Sequence, residues 1–479
     1  MAISIKNIGG STNEVPKITN LVASKITTSS IEINYHVEDV ELSICRHYIT
    51  VKSSSETILN HVEITRNVGY DKTDFNYNIN GLDIGTEYSI QIYCSDGVDE
   101  GKSDALMCQT NSFTIYGVKV DESNSNPKNA VTYIEDAIGI APATTTSLGG
   151  WADKFPFNKI RMVGLKNGQV TKEIKPFNPN QYKDGTTVPN DVDIMIEIPK
   201  VYWDIKKVTN GYEIRISDKK FNDTCDCYAH KVNGIEKNVI YIARYLAYIE
   251  NSKMRSISKE IISNNYSWNQ WRQYAHNVGS GYECLNANSH KLEVILFLIA
   301  FKNRNSQGAL GKGQVNINES DTRRWSGQSD GKGWIYGSNN EYEKVVFLGI
   351  EDIWGNLWQL VDGIIIDSNC NLLISTNNNN FNNIGAGYKN IGKLSILDNK
   401  LISKVTCTNE GSFIPTEGLG STSTHYADRC FIKANSGLAI GGFFSDRDSA
   451  GIFYTSLNRS LDDSTLGSGF TTRLVYLGS

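Results

Sequence analysis

The sequence predicts a mainly β protein with some α: a β-sandwich followed by an α+β module. Three observations predict it. Short stretches alternating apolar with polar residues recur through about the first hundred residues, separated by polar turns, which is a strand rhythm. Gly is common at 41, Pro is scarce at 9 and Tyr reaches 24, a mixture that favours strands and loops over a helical bundle. One later segment, residues 290–303 (HKLEVILFLIAFKN), is too long and too evenly apolar for a strand and reads as a buried helix.

Composition bounds the rest. A length of 479 residues suggests two to four domains at roughly 150 residues each. Hydrophobic residues make up 39%, enough to build cores, which excludes wholesale disorder. Lys plus Arg is 47 and Asp plus Glu is 52, a net charge of −5. That lacks the basic footprint of a nucleic-acid binder. The longest apolar run, residues 294–301, falls far short of the roughly 20 residues that span a bilayer, so no membrane insertion is expected. The start, MAISIKNIGGSTNEVP, has no basic segment leading into an apolar one, so no secretory signal is expected. The nine cysteines form no C-x-x-C pair and are too sparse for a disulfide scaffold. They read as buried free thiols of a chain made in a reducing cytoplasm.

In chain order, residues 1–13 read as an N-terminal arm and residues 14–112 as the sandwich. Strands are expected at 17–23, 30–37, 47–52, 75–79, 87–95 and 106–110, with Ile31, Ile33, Tyr35 and Val37 facing the core. The stretch INGLDIGTEYSI (79–90) resembles the corner of fibronectin type III domains, where a Leu precedes a Tyr by six residues. The resemblance implies that the Tyr88 hydroxyl bonds back to nearby backbone. Gly101-Lys102-Ser103 fits the same family. Tyr35 stands where that family carries its core Trp.

Residues 113–345 differ in texture. FTIYGVKVD (113–121), SNSNP (123–127), AVTY (130–133), Trp151, FPF (155–157) and DIMIEIPKVYW (193–203) resemble a segment of bacteriophage tail-fibre proteins that opens a lectin-like module. The last of these reads as an alternating strand ended by Pro199. Residues 212–217 are expected to pair with it through a turn at Thr209-Asn210-Gly211. The stretches YIARYLAY (241–248) and WNQWRQYA (268–275) precede the helical segment. The glycine-rich loop at 308–313 lacks the G-x-x-x-x-G-K-[ST] spacing of a nucleotide cradle. Cys225, Cys227 and His230 offer zinc-type ligands, but their spacing is not a standard finger and a fourth ligand is missing. His276 and His425 read as structural.

Residues 346–479 carry the clearest motif. VFLGIEDIWGNLWQLVDG (346–363) has a Gly-Asn-aliphatic-Trp centre followed by Val-Asp-Gly. GLAIGG (437–442), DSAGIF (448–453) and GSGFTTRL (467–474) come after it. Together they resemble the formylglycine-generating-enzyme-like branch of the C-type lectin fold, which phage tropism determinants share. The resemblance implies a fibronectin type III-like sandwich followed by a C-type-lectin-like module. Phe470 would pack inside, Arg473 would tie down a loop, and the paired glycines would allow close backbone approach or positive φ. The oxidases of the branch carry cysteines just after the Gly-Gly element, and here residues 443–448 have none.

The function these features imply is non-enzymatic. The chain reads as a host-receptor-binding tail-fibre or baseplate-tip protein of a phage or tail-like particle, carried on the virion and released by lysis. Its partners would be a bacterial cell-surface glycan or protein and other tail or baseplate proteins. The tropism determinants it resembles imply a homo-oligomer, a trimer. Alternatives are a structural baseplate or tail-decoration protein, and a polysaccharide depolymerase. The depolymerase would need two facing carboxylates, for which Glu351, Asp352 and Asp362 are available. No cofactor is implied. Candidate receptor contacts lie at 443–458: Phe443, Phe444, Asp446, Arg447, Asp448, Tyr454, Ser456 and Asn458. Aromatics mixed with short polar groups give contact area at low entropy cost. No metal site is expected. Asp446 with Asp448, and Asp462 with Asp463, lack the compact oxygen-rich loop that calcium needs.

Overall fold

A computed structural model describes residues 14–38, 45–66, 73–375, 377, 380–410, 412–462, 464 and 466–478. The expected arm at 1–13 lies outside these residues. The fold is mainly β, with many sheets and few helices. It forms two compact units, Met1–Ile115 and Tyr116–Ser479. The first division therefore falls three residues later than residue 112.

The first unit is a two-sheet sandwich. Lys17–Ile26, Ser30–Glu38 and Asp74–Asn80 form one sheet. Thr57–Arg66, Arg46–Lys52, Glu87–Ser95 and Glu100–Lys102 form the other, with Leu106–Gln109 also on Glu87–Ser95. Period-two alternation buries Ile31, Ile33, Tyr35 and Val37, because successive side chains of a strand point to opposite faces. They pack with Ile49, Val51, Tyr88, Ile90 and Ile92. The corner bond is present: the Asp83 N–H donates to the Tyr88 hydroxyl at 2.8 Å. Tyr35 fills the core position by stacking on Phe75, ring centroids 5.5 Å apart. Its hydroxyl meets His47 Nδ1 at 2.9 Å. Gly101 is forced, since a Cβ there would lie 1.7 Å from the Pro16 carbonyl oxygen.

The second unit has a main core that draws on residues from Tyr116 to Leu477, with smaller clusters beside it around Phe444 and around Cys225 and Cys227. A seven-stranded sheet runs in the order Asn178–Tyr182, Gln169–Lys175, Arg161–Lys166, Asp193–Pro199, Val239–Ala243, Leu474–Tyr476, Tyr282–Cys284. The last strand of the chain thus sits between two strands from its middle. Residues 113–345 and 346–479 are therefore interleaved, and position 345/346 divides nothing. A second large sheet centres on Trp358–Ile366, Ser436–Gly441 and Gly451–Ser460, with Phe470–Thr471 running parallel to Trp358–Ile366.

The expected strand at 193–203 is two strands. Asp193–Pro199 lies inside the seven-stranded sheet and is almost wholly buried, so it shows none of the alternation of a one-sided strand. The chain breaks at Pro199, and the Lys200 N–H turns to the Asn238 carbonyl. Tyr202–Val208 then pairs with Gly211–Ser217, which pairs in turn with Tyr116–Asp121.

Two helices contribute side chains to this core. Helix α1, Trp268–His276, opens with a capping box from Ser267 and Gln270. Helix α2, Ala287–Phe301, is buried along its whole length and is capped by the Asn286 side chain. It matches the expected buried helix, and its charged Lys291 and Glu293 are inside as well.

Candidate functional site

Gly441 and Gly442 end the central strand Ser436–Gly441 with φ of 88° and 85°, which glycine adopts without strain. This swings residues 443–448 out as a loop. The Phe443 N–H donates to Asp446 Oδ2 at 2.7 Å. Phe444 is fixed on both sides: its N–H reaches the Asn356 carbonyl, and its carbonyl accepts from the Ile317 N–H, each at 3.0 Å. The Arg324 guanidinium lies over the Phe444 ring, 4.4 Å from its centroid, a cation–π contact. Phe444 packs on Leu246, Ile262, Ile317 and Leu357.

Asn356, from the Gly-Asn-Leu-Trp motif, holds the layer beneath. Its amide donates to Asp352 Oδ2 at 2.8 Å and to the Arg324 carbonyl at 2.9 Å. Asn356 and Arg324 line a cavity of about 320 Å³, with Ile261, Asn264, Glu319, Asp321 and Trp325 among the other walls. Trp325 is 38% exposed and Ile261 is 61% exposed. Hydrogen bonds from Arg323 hold the Asp321 carboxyl below the usual carboxylate range. The result is an exposed indole and an aliphatic side chain beside charged groups, on a rigid floor.

The expected contact residues divide. Arg447 and Asp448 are exposed, and Phe443, Asp446 and Asn458 are half-buried. Asp448 pairs with Lys312. Phe444, Tyr454 and Ser456 are buried and present no surface, which corrects their assignment as contacts. The reason is that Gly451–Ser460 is a central strand flanked by Ser436–Gly441 and Arg429–Ile432 and covered on both faces. Tyr454 packs edge-on against Trp358 at 4.4 Å, and burial pushes its hydroxyl far up. The Ser456 hydroxyl donates to Asn458 Oδ1 at 2.7 Å. Trp325, Ile261, Glu319 and Asp321 were not foreseen. The usable signal was a Trp in the charged run Asp321-Thr322-Arg323-Arg324-Trp325, since a large aromatic among charges is unusual for a core strand.

Other candidate groups are committed elsewhere. Glu351 accepts from the Gly327 and Ser329 N–H groups at 3.0 and 2.9 Å. Asp352 pairs with Lys344. Asp362 accepts from Arg272 Nε and Nη2, at 2.6 and 2.8 Å. All three are buried and act as structural ion pairs. The zinc-type set does not converge. His230 Nε2 bonds the Ile198 carbonyl at 3.2 Å, and Cys227 groups instead with Asp226 and Glu236. Those acids hold Lys231 and Lys200, and burial pushes the Cys227 thiol up to about 12. Asp446 spends Oδ2 on the Phe443 N–H, and Asp463 lies outside the described residues. His276 bonds Glu283 at 2.8 Å.

Comparison with known proteins adds little. No family model matches the sequence, and no curated protein matches it. Among solved structures, the FN5 domain of Drosophila Lar is 23% identical to this chain. The match covers 21% of this chain and 98% of that one, with a TM-score of 0.15, and it carries no argument.

Proposed function

We propose that this chain is a non-enzymatic cell-surface-binding protein, the receptor-binding component of a phage tail or tail-like particle. It would act in the assembled particle, as a homo-oligomer attached to other tail or baseplate proteins, touching a bacterial surface glycan or protein through its second unit. The observation that carries this reading is Trp325. A large aromatic left partly exposed at a polar-rimmed cavity costs solvation unless a ligand covers it. The cavity floor is held by Asn356, Arg324 and Phe444, so little ordering is needed on binding. The lectin-like motifs at 346–363 and 437–474 agree with this reading. Weak single contacts would be multiplied across copies, since linked sites gain effective concentration.

The test is a pull-down of the purified chain on intact bacteria across a strain panel. Binding to a subset of strains, lost on Trp325→Ala, supports the reading. Failure to bind any strain, in a chain that still docks to particles lacking it, favours a structural tail protein.

A further inference from the structure

A second cavity, of about 530 Å³, lies elsewhere in the second unit and shares no lining residue with the Trp325 site. Its size falls within the roughly 300–1,000 Å³ of small-molecule sites. One wall is the turn joining Tyr202–Val208 to Gly211–Ser217, and the facing wall is the segment 404–408.

Both walls are fixed from behind. On the turn, Gly211 has φ of 155° and a Cβ there would lie 2.0 Å from the Val120 carbonyl oxygen. The Asn210 carbonyl accepts from the Glu122 N–H at 2.7 Å. On the facing wall, Glu122 Oε1 accepts from the Val405 N–H at 2.8 Å and from the Tyr426 hydroxyl at 2.9 Å. The ammonium of Lys291, buried in α2, donates to the Thr408 and Asn409 carbonyls at 3.1 and 2.8 Å. Asn409 is itself bonded to the Ile205 N–H at 2.7 Å and to Asp204 at 2.8 Å. Buried and half-buried polar side chains thus hold both walls in place from behind.

That face has a definite chemistry. Thr209, Thr406, Thr408 and Thr416 line it with Asn210. Hydroxyls both donate and accept, as sugar hydroxyls do. The half-buried Val208 adds apolar surface, with the buried Val405 and Tyr212 behind it, suited to the C–H face of a pyranose. Lys207 and Lys404 supply positive charge. Lys404 is shared with Glu417 at 3.1 Å, while Lys207 has no ion-pair partner among the described residues. Among the described residues Glu122 is the one carboxylate of the lining, and its Oε1 is engaged by backbone and Tyr426.

We propose that this cavity is a separate binding site for a saccharide bearing an anionic group, with Lys207 and Lys404 receiving the anion and the threonine-rich walls receiving the ring hydroxyls. The assignment stands apart from the Trp325 reading and does not depend on it.

The test is ligand-observed NMR and calorimetry on the full chain with glucuronate, glucose 6-phosphate, glucose and inorganic phosphate. The two anionic sugars are expected to bind at least about tenfold more tightly than glucose, an anion contact being worth about 1.4 kcal/mol or more. The tighter of the two identifies carboxylate or phosphate as the natural anion. Lys207→Glu, at an exposed strand end, abolishes the response, and Thr406→Val weakens it. Three outcomes overturn the proposal: equal binding of glucose, inorganic phosphate binding as well as the sugar phosphate, or anionic-sugar binding that survives Lys207→Glu.

Discussion

Arg473 and Gln359 close the core of the second unit on each other: Arg473 Nε donates to Gln359 Oε1 at 2.6 Å, and both side chains are buried. The same guanidinium donates to the carbonyls of Glu351, Asp352 and Arg244, the last two at 2.7 and 3.1 Å. One side chain near the end of the chain therefore ties the Gly-Asn-Leu-Trp loop to a strand of the seven-stranded sheet. Gln359 in turn donates to the Asp352 carbonyl at 2.9 Å.

Arg473→Leu should accordingly be among the most damaging single changes. It strands several buried acceptors, and breaking such a buried charged network costs about 3–5 kcal/mol. Arg473→Lys should recover only part, because an ammonium lacks the planar fork. Urea unfolding measures both. A leucine variant within about 1 kcal/mol of the parent, the scale of an ordinary point mutation, would show that the network is incidental.

The sandwich should lose stability in mild acid through His47. Burial lowers its pKa from 6.5 to about 4, and its Nε2 is buried without a partner. The unfolded chain takes up a proton as pH falls through 6.5, whereas the native sandwich resists until about 4. Stability contributed by neutral His47 is therefore full above about 6.5 and declines between there and about 4, by about 3 kcal/mol in all. Hydrogen exchange of Glu87–Ser95, corrected for intrinsic rate, tracks the sandwich within the whole chain. His47→Leu should flatten the slope in that window, and an unchanged slope would assign it to other groups.

Trp325→Ala should reduce cell binding about tenfold or more, the loss typical of an interface anchor. The side chain is 38% exposed, so the loss of unfolding free energy should stay well below the about 3–5 kcal/mol of a fully buried Trp→Ala change. Parallel loss of binding and of stability would mean that Trp325 is packing rather than contact.

How far each residue was legible in the sequence depends on where it sits. Ile31, Ile33, Tyr35 and Val37 alternate because one face of their strand meets the core, and Tyr88 was readable from its spacing to Leu82. The paired glycines, Phe470 and Arg473 behave as their motifs implied. Phe470 is buried and stacks on Trp358. Strand Thr57–Arg66 was missed because it is an edge strand with several register shifts and no fully buried position among residues 57–65, so it has no alternation to read. The contact face was only half legible. None of residues 443–448 lines the cavity; Phe444 only packs on Ile262 and Leu357, which do, and a composition argument cannot distinguish a loop aromatic such as Phe443 from Tyr454 inside a covered strand. Trp325 and the Lys207–Lys404 cavity are assembled from segments far apart in sequence, and no local pattern announces them.

Calcium should be dispensable for cell binding. The ion takes six to eight oxygens, mainly carboxylate and carbonyl, from one compact site. Asp446 spends Oδ2 on the Phe443 N–H and is half-buried, and burial raises its carboxyl pKa, which opposes the ionised form that calcium requires. Asp448 is already neutralised by Lys312 across an exposed ion pair. The Asp462 N–H bonds the Ser460 hydroxyl at 3.2 Å, the geometry of an ordinary turn. Binding to intact cells in a chelator should match binding in added calcium. The same comparison by thermal unfolding is stricter, because calcium at about a hundred times its dissociation constant would stabilise the native chain by about 2.7 kcal/mol. A melting temperature that rises on adding calcium, and cell binding that disappears on chelation and returns with the ion, would refute this prediction and place a cation at the contact face.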